Sequence, residues 1–252
     1  MKLRIKYAKY GSLKFIGHLD VMRFFQKAIR RAGLDVAYSQ GFSPHELITF
    51  AAPLGLSVTS EGEYFDGEFN SVTTTKDMVK RLNEQMVEGM EVLDVRLLKK
   101  EAKTAMAVVS ASDYVVYIKS GYLNDKAELL FNSFDAFMSS DTIEILKKSK
   151  KTEKVVDIKP MIIKAAVFPF DGIDGLSKEY LGERDHEKGF FMFLKTGSEE
   201  NLKPELVMEA YCKFLDIPYE PHAFSVHRLE TYMNDGESTV PLYMAGEMIS
   251  DE

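Results

Sequence analysis

Two hydrophobic rhythms alternate through the first 100 residues, and their order restricts the fold. From Lys2 the period is two, placing Leu3, Ile5 and Tyr7 on one face of an extended strand. The pattern runs to about Phe15, with a break at Tyr10-Gly11-Ser12. Leu19 to Ala32 then switches to helical spacing, with Leu19, Met22, Phe25 or Ala28, Ile29 and Ala32 as its apolar stripe. Asp20 suits the positive end of the helix dipole, and Gly33 suits the left-handed terminal position. Short strands are expected at Asp35–Tyr38 and Glu46–Ala52, on either side of a Ser39–His45 loop holding Gly41 and Pro44. Glu61–Phe69 alternates again. Thr74 is placed to cap a helix from Thr75 to about Val87, and Met90–Leu98 is the last strand.

Strand–helix–strand–strand–helix–strand predicts an α+β domain of the ferredoxin-like (βαββαβ) type over residues 1–100, an antiparallel sheet with two helices on one face. The same general order recurs over residues 101–233 in elaborated form. The expected fold is therefore two tandem ferredoxin-like domains, joined near Lys99–Lys103. Phe190-Phe191-Met192-Phe193 reads as a buried strand, and Pro204 opens a helix to about Leu215. Lys147–Lys154 is charge-rich and expected to be exposed, and Phe170–Lys188 reads as a long loop. Residues 234–252 form an acidic tail that either frays or docks.

No apolar run approaches the roughly 20 residues of a membrane helix, and the opening Met-Lys-Leu-Arg-Ile-Lys-Tyr is unlike a signal peptide. A cytoplasmic protein without membrane contact is expected. One cysteine, Cys212, excludes an internal disulfide and any cysteine-cluster metal site built from this chain alone. Net charge is −7, but residues 1–50 hold nine Lys/Arg against three Asp/Glu; they carry +6 and the remainder −13. That asymmetry fits either a local anion-binding face on an acidic body or an ordinary solvated helix face.

Four stretches carry a resemblance: Gly17-His18-Leu19-Asp20, Arg30-Arg31-Ala32-Gly33, Ser39-Gln40-Gly41-Phe42-Ser43-Pro44 and Ser60-Glu61-Gly62-Glu63-Tyr64. Through them the chain resembles the radical SAM-associated domain of unknown function, which is fused to or encoded beside cobalamin-binding radical SAM proteins. The resemblance is strongest over residues 1–100. It implies a separate radical SAM protein as partner. The iron–sulfur cluster, S-adenosylmethionine and cobalamin would belong to that partner, because this chain has no Cys-x-x-x-Cys-x-x-Cys and is expected to hold no cofactor. A weaker resemblance is to Cas6-type RNA endonucleases, similar in their tandem ferredoxin-like domains and in a histidine near the first helix. Their glycine-rich loop near the C-terminus has no counterpart here.

The candidate binding residues are His18, Arg23, Lys27, Arg30, Arg31, Tyr38, Gln40, Phe42 and His45. Arg23, Lys27 and Arg30/Arg31 recur at i, i+4 and i+7/i+8 and line one side of the first helix, suited to phosphates. Tyr38, Phe42 and His45 flank hydroxyls and an amide, suited to stacking on unpaired bases; the alternative is a loop whose Phe42 plugs the core. His18 is either a general base or a phosphate ligand, or else a turn histidine that caps the helix or packs locally. His18, Asp20 and His45 could converge, but nothing in their spacing enforces three metal ligands, and no metal is expected. The expected function is a non-catalytic accessory protein that binds RNA or another anionic substrate. The alternatives are a metal-independent endoribonuclease using His18, and a protein-interaction scaffold.

Overall fold

The computed structural model describes residues 1–148 and 153–250. Part of the charge-rich 147–154 stretch, residues 149–152, lies outside the described residues, as do residues 251–252 of the acidic tail. The elements in order are β1 (Lys2–Lys9), α1 (His18–Arg31), β2 (Ile48–Phe50), β3 (Thr59–Glu68), α2 (Thr75–Asn83), β4 (Met90–Leu98) and α3 (Ala105–Val108). Then follow β5 (Val109–Ile118), α4 (Ala127–Met138), β6 (Glu144–Lys148), β7 (Glu153–Asp157), β8 (Ile162–Pro169) and β9 (Lys188–Lys195). The chain ends with α5 (Pro204–Phe214), β10 (Phe224–Asp235), β11 (Ser238–Pro241) and β12 (Gly246–Glu247). The fold is α+β and divides into two compact units. One comprises Met1–Ser110 and the chain from Glu230 onward; the other is Ala111–Leu229.

In the first unit the strands lie in the order β4-β1-β3-β2, each pair antiparallel. One sheet face carries Leu3, Ile5, Tyr7, Phe65 and Val95, packed under Val21, Phe25 and Ile29 of α1 and Met78 and Leu82 of α2. The expected stripe of α1 holds at Phe25, Ala28, Ile29 and Ala32 and differs in its first turn. Val21 is buried and Leu19 is 63% exposed, because the series Val21, Phe25, Ala28, Ile29, Ala32 is the one aimed at the sheet. Thr74 caps α2 as expected, its hydroxyl accepting from the Asp77 amide at 3.2 Å. The first strand stops at Lys9, and Gly11–Phe15 is a 3-10 turn, not more strand.

The opposite face of this sheet is also covered. Tyr64 packs there with Ala51, Ala105 and Leu242. Arg4 is 1% exposed and pairs with Asp66 through two bonds, 2.8 and 3.0 Å. Asp66 also accepts from the Ala105 amide at 2.7 Å. Lys6 meets Glu230 at 2.6 Å, and Glu230 accepts from the Tyr64 hydroxyl at 2.7 Å. Burial beside the Glu230 carboxylate pushes the Tyr64 hydroxyl well above its ordinary pKa.

Of the two readings of the C-terminal tail, docking is what the described residues show. The last residues of β10 pair with β11, Leu242 is fully buried, and β12 adds to β4 through Gly246↔Leu98 and Glu247↔Leu97. The Ile249 amide then donates to Thr75 Oγ1 at 2.9 Å.

In the second unit the order is β10-β5-β9-β8, with α4 and α5 contributing Phe134 and Tyr211 to the core around Phe190. The Phe190–Phe193 run is strand, with Phe190, Met192 and Leu194 fully buried. The 170–188 loop is packed, not loose: Phe170, Ile173 and Leu181 form a cluster with Val115, Tyr117 and Leu229. β6 and β7 form a separate two-stranded ribbon between α4 and β8.

Candidate functional site

The candidate face is built from α1 and the segment 35–47 that follows it. Gly17 precedes α1 in an extended conformation, and Asp20 sits in the first turn. The helix ends on a paired closing motif. The Gly33 amide bonds to the Arg30 carbonyl at 3.0 Å and the Leu34 amide reaches back to Ile29 at 3.2 Å. Gly33 has φ +63°, the left-handed geometry this closure needs. Leu34 is buried in the same cluster as Ile29, so the chain leaves the helix at a fixed angle.

Beyond the helix, Asn70 and Ser71 both donate to Asp35 at 2.9 Å and hold its carboxyl below the ordinary range. No full strand forms at 35–38; there are single bridges, Val36↔Phe69 and Tyr38↔Glu46. The neck of the loop is then closed by three bonds. The Ser39 amide donates to the His45 carbonyl at 2.9 Å, the His45 amide to Ser39 Oγ at 3.1 Å, and Ser39 Oγ lies 2.9 Å from His45 Nδ1. Residues 40–44 stand beyond this neck, all exposed, with Gly41 at φ +114°. Phe42 is at the tip with its ring wholly in solvent, so it does not plug the core.

The four cations of α1 all lie exposed, in different settings. Arg23 is 3.8 Å from Asp20, a loose pair between exposed side chains. Arg31 donates to the Gln85 carbonyl at 3.2 Å. Lys27 makes no ion pair among the described residues. Arg30 lies 3.3 Å from Glu46, whose side chain is only 8% exposed and which also accepts from the Tyr38 hydroxyl at 3.5 Å. Glu46 therefore ties the helix to the loop neck. Sequence reasoning did not select it; the available signal was a carboxylate opening a strand that packs beside a basic helix.

The structure gives His18 and His45 different surroundings. His18 is the first residue of α1 and is half-buried, its ring edge-on to Phe50 at 5.4 Å. Phe50 belongs to an aromatic cluster with Tyr7, Phe25 and Phe65. His45 is exposed and bonded to Ser39. Asp20 is turned to Arg23, not to either histidine. Among the described residues there is no group of three or more His, Cys, Asp or Glu side chains that could hold a metal ion. Cys212 is buried, and burial pushes its thiol up to about 11. Sequence reasoning also missed the apolar shoulder beside the helix start, where Phe15, Leu19 and Leu56 are each more than 60% exposed. The Ser57 amide bonds to the Lys14 carbonyl at 2.9 Å and ties the 56–57 turn to the segment before α1. No helix among the described residues is long and apolar enough to cross a membrane.

The face thus offers exposed cations on α1 and the exposed rings of Tyr38 and Phe42 on the segment that follows, and comparison with known proteins adds a family but no activity. No curated protein matches the chain. Residues 2–204 match the model of a family described as an uncharacterized protein conserved in bacteria (DUF2344), and this chain belongs to that family.

Proposed function

We propose that the chain is a non-catalytic accessory protein that binds RNA, and that α1 with the 38–46 loop is its binding face. The observation that carries this reading is Phe42. Burying a phenylalanine is worth about 1.5–3 kcal/mol, yet this ring is held out in solvent on a neck closed by Ser39 and His45. An exposed ring on a loop whose neck is joined to α1 through the Arg30–Glu46 pair suits an unpaired base flanked by phosphates. The ribonuclease reading gains nothing from the surroundings of His18, whose ring rests on Phe50.

Both units are read as ferredoxin-like. The strand orders β4-β1-β3-β2 and β10-β5-β9-β8 support that reading, with the β6–β7 ribbon as an insertion in the second unit. The working partner is a separate radical SAM protein, on the strength of the motifs around His18, Gly33 and Phe42. That partner would supply the iron–sulfur cluster, S-adenosylmethionine and cobalamin.

The test is titration of a single-stranded RNA at several salt concentrations. Arg23→Ala with Lys27→Ala should lower the slope of log affinity against log salt by about 0.7 for each phosphate no longer neutralised. Phe42→Ala should weaken binding about 5- to 150-fold, the worth of one stacked base, with the slope kept. Undetectable binding by the unaltered protein at low salt, or binding that none of these substitutions changes, overturns the reading. Co-purification with RNA left intact tests the partner: recovery of RNA with no radical SAM protein would remove that part alone.

A further inference from the structure

Resting on the RNA reading above, we infer that a cavity at the end of the first unit's sheet holds one unpaired cytosine. Charges on the second face of that sheet come in rungs across β1 and β3. The rung Arg4↔Asp66 is closed as an ion pair at 2.8 Å, and Lys6, opposite Tyr64, is closed by Glu230 at 2.6 Å. The outermost rung, Lys2↔Glu68, sets opposite charges directly across from each other, a favourable cross-strand arrangement, yet no ion pair joins them. Lys2 donates instead to the Ala102 carbonyl at 2.8 Å, and its ammonium has further protons to give. The Glu68 side chain is exposed and has no hydrogen bond or ion pair among the described residues.

Both residues line a cavity of about 180 Å³, together with His45, Thr49, Asp66 and Thr104. Asp66 is committed to Arg4 and to the Ala105 amide. A ligand therefore meets the Glu68 carboxylate and the Lys2 ammonium, with the Thr49 and Thr104 hydroxyls beside them. A cavity of about 150 Å³ takes benzene, so this one suits a single six-membered ring with its substituents better than the fused rings of a purine. An unpaired base is read on its Watson–Crick edge. Cytosine presents there an amino donor next to two acceptors, the complement of a carboxylate next to an ammonium, and a carboxylate is the side-chain partner of that amino group. Uracil puts a carbonyl in the same place, which Glu68 repels. The cavity also adjoins the face already described. His45 closes the loop neck through Ser39, and Phe42 is three residues before it, a reach of about 10 Å along the chain. One strand thus serves both the ring and the cavity.

The test compares fluorescein-labelled single-stranded RNAs of equal length, about twelve nucleotides: oligouridine, a UUC repeat and a UUG repeat. Each is titrated at neutral pH and fixed salt with the unaltered chain and with Glu68→Gln, which keeps the side chain's size and puts an amide in place of the carboxylate. The readout is the ratio of affinities, so that a general change in repulsion between protein and phosphates cancels. The unaltered chain should bind the UUC repeat about 5- to 150-fold more tightly than oligouridine, the worth of one base contact, and show no such gain for the UUG repeat. In Glu68→Gln the ratio should fall close to one. Binding of oligouridine, set by α1 and Phe42, should be kept, which also reports that the variant is folded. Equal binding of all three RNAs by the unaltered chain overturns the cytosine pocket and leaves the RNA reading standing. So does a preference for the UUG repeat, a cytosine preference that survives Glu68→Gln, or a loss in that variant that is the same for every RNA. No binding of any RNA by the unaltered chain at low salt overturns the RNA reading itself, and the pocket with it.

Discussion

Replacing Arg4 with methionine should destabilise the first unit far more than a surface position would. The side chain is 1% exposed and donates to both oxygens of Asp66, to the Leu242 carbonyl at 3.0 Å and to the Lys103 carbonyl at 3.3 Å. Methionine fills similar space but leaves Asp66, itself 3% exposed, with the Ala105 amide and no counter-charge from Arg4. Removing one member of a buried pair costs about 3–5 kcal/mol, because the other charge is left uncompensated. With a urea dependence of about 2 kcal/mol per molar, the midpoint should fall by about 1.5–2.5 M. Arg4→Met/Asp66→Leu should recover much of the stability by removing the orphaned carboxylate. Recovery will be incomplete, since the Ala105 amide and the Leu242 and Lys103 carbonyls each forfeit a bond worth about 1 kcal/mol. Two units need not unfold together, and the chain has no tryptophan, so the readout is hydrogen exchange of β1 along a urea series. A midpoint shift of the single variant below about 0.5 M, or a double variant as unstable as the sum of the singles, would refute the reasoning.

Three further outcomes are expected. Cys212, fully buried with its thiol held up to about 11, should react with a thiol reagent only on unfolding; fast reaction in native buffer would contradict its placement in the core of α5. Asp185 accepts from Ser120 Oγ at 2.6 Å and the Gly121 amide at 2.7 Å, which lowers its pKa from 3.8. The stabilisation it gives is therefore complete above 3.8 and lost as pH falls through the lower folded value; an NMR carboxyl titration at or above 3.8 would refute it. Arg30→Ala should loosen the loop neck and weaken RNA binding by exposing the ligand to an unpaired Glu46, and adding Glu46→Gln should restore binding. Failure of that restoration, measured by titration, would assign Arg30 a direct phosphate contact instead.

Much of the first unit was legible because its signals are local. The Gly33 closure, the Thr74 cap and the limits of β4 depend on residues within a turn or a strand of each other. Alternation told which residues share a face, but not whether the second face is covered. Arg4 and Asp66 read as outward polar positions, yet each is under 4% exposed. The covering pieces, residues 103–109 and 242–245, come from elsewhere in the chain. The docked tail was hidden for a related reason. It is held by backbone pairing at Gly246 and by the Ile249 amide on Thr75 Oγ1, partners far apart in sequence that no local pattern announces. At the candidate site, the helix cations and the loop were legible from spacing and from Gly41 and Pro44. The exposure of Phe42 was not, since an aromatic in a loop reads equally as a plug or a tip. The stripe of α1 misled because Leu19 and Val21 both fit a three-to-four-residue series, and tertiary contact with the sheet decides between them.

The charge asymmetry of the sequence also changes meaning once the fold is known. Residues 1–50 carry +6, but the cations of β1 are structural. Arg4 and Lys6 are matched by Asp66 and Glu230, Lys9 is buried, and Lys2 donates to the Ala102 carbonyl at 2.8 Å. Charge on β1 thus serves to hold the second face of the sheet closed over residues 103–109 and 242–245. On α1, Arg30 is offset by Glu46. What remains is Lys14, half-buried with its ammonium 5.2 Å from the Phe15 ring, and the exposed Arg23, Lys27 and Arg31. With so few cations, long-range attraction is modest and screened within about 8–10 Å at ordinary salt. On the proposed RNA reading, preference for an unpaired strand over a duplex rests on Phe42, since a duplex keeps its bases stacked and offers that ring no free face.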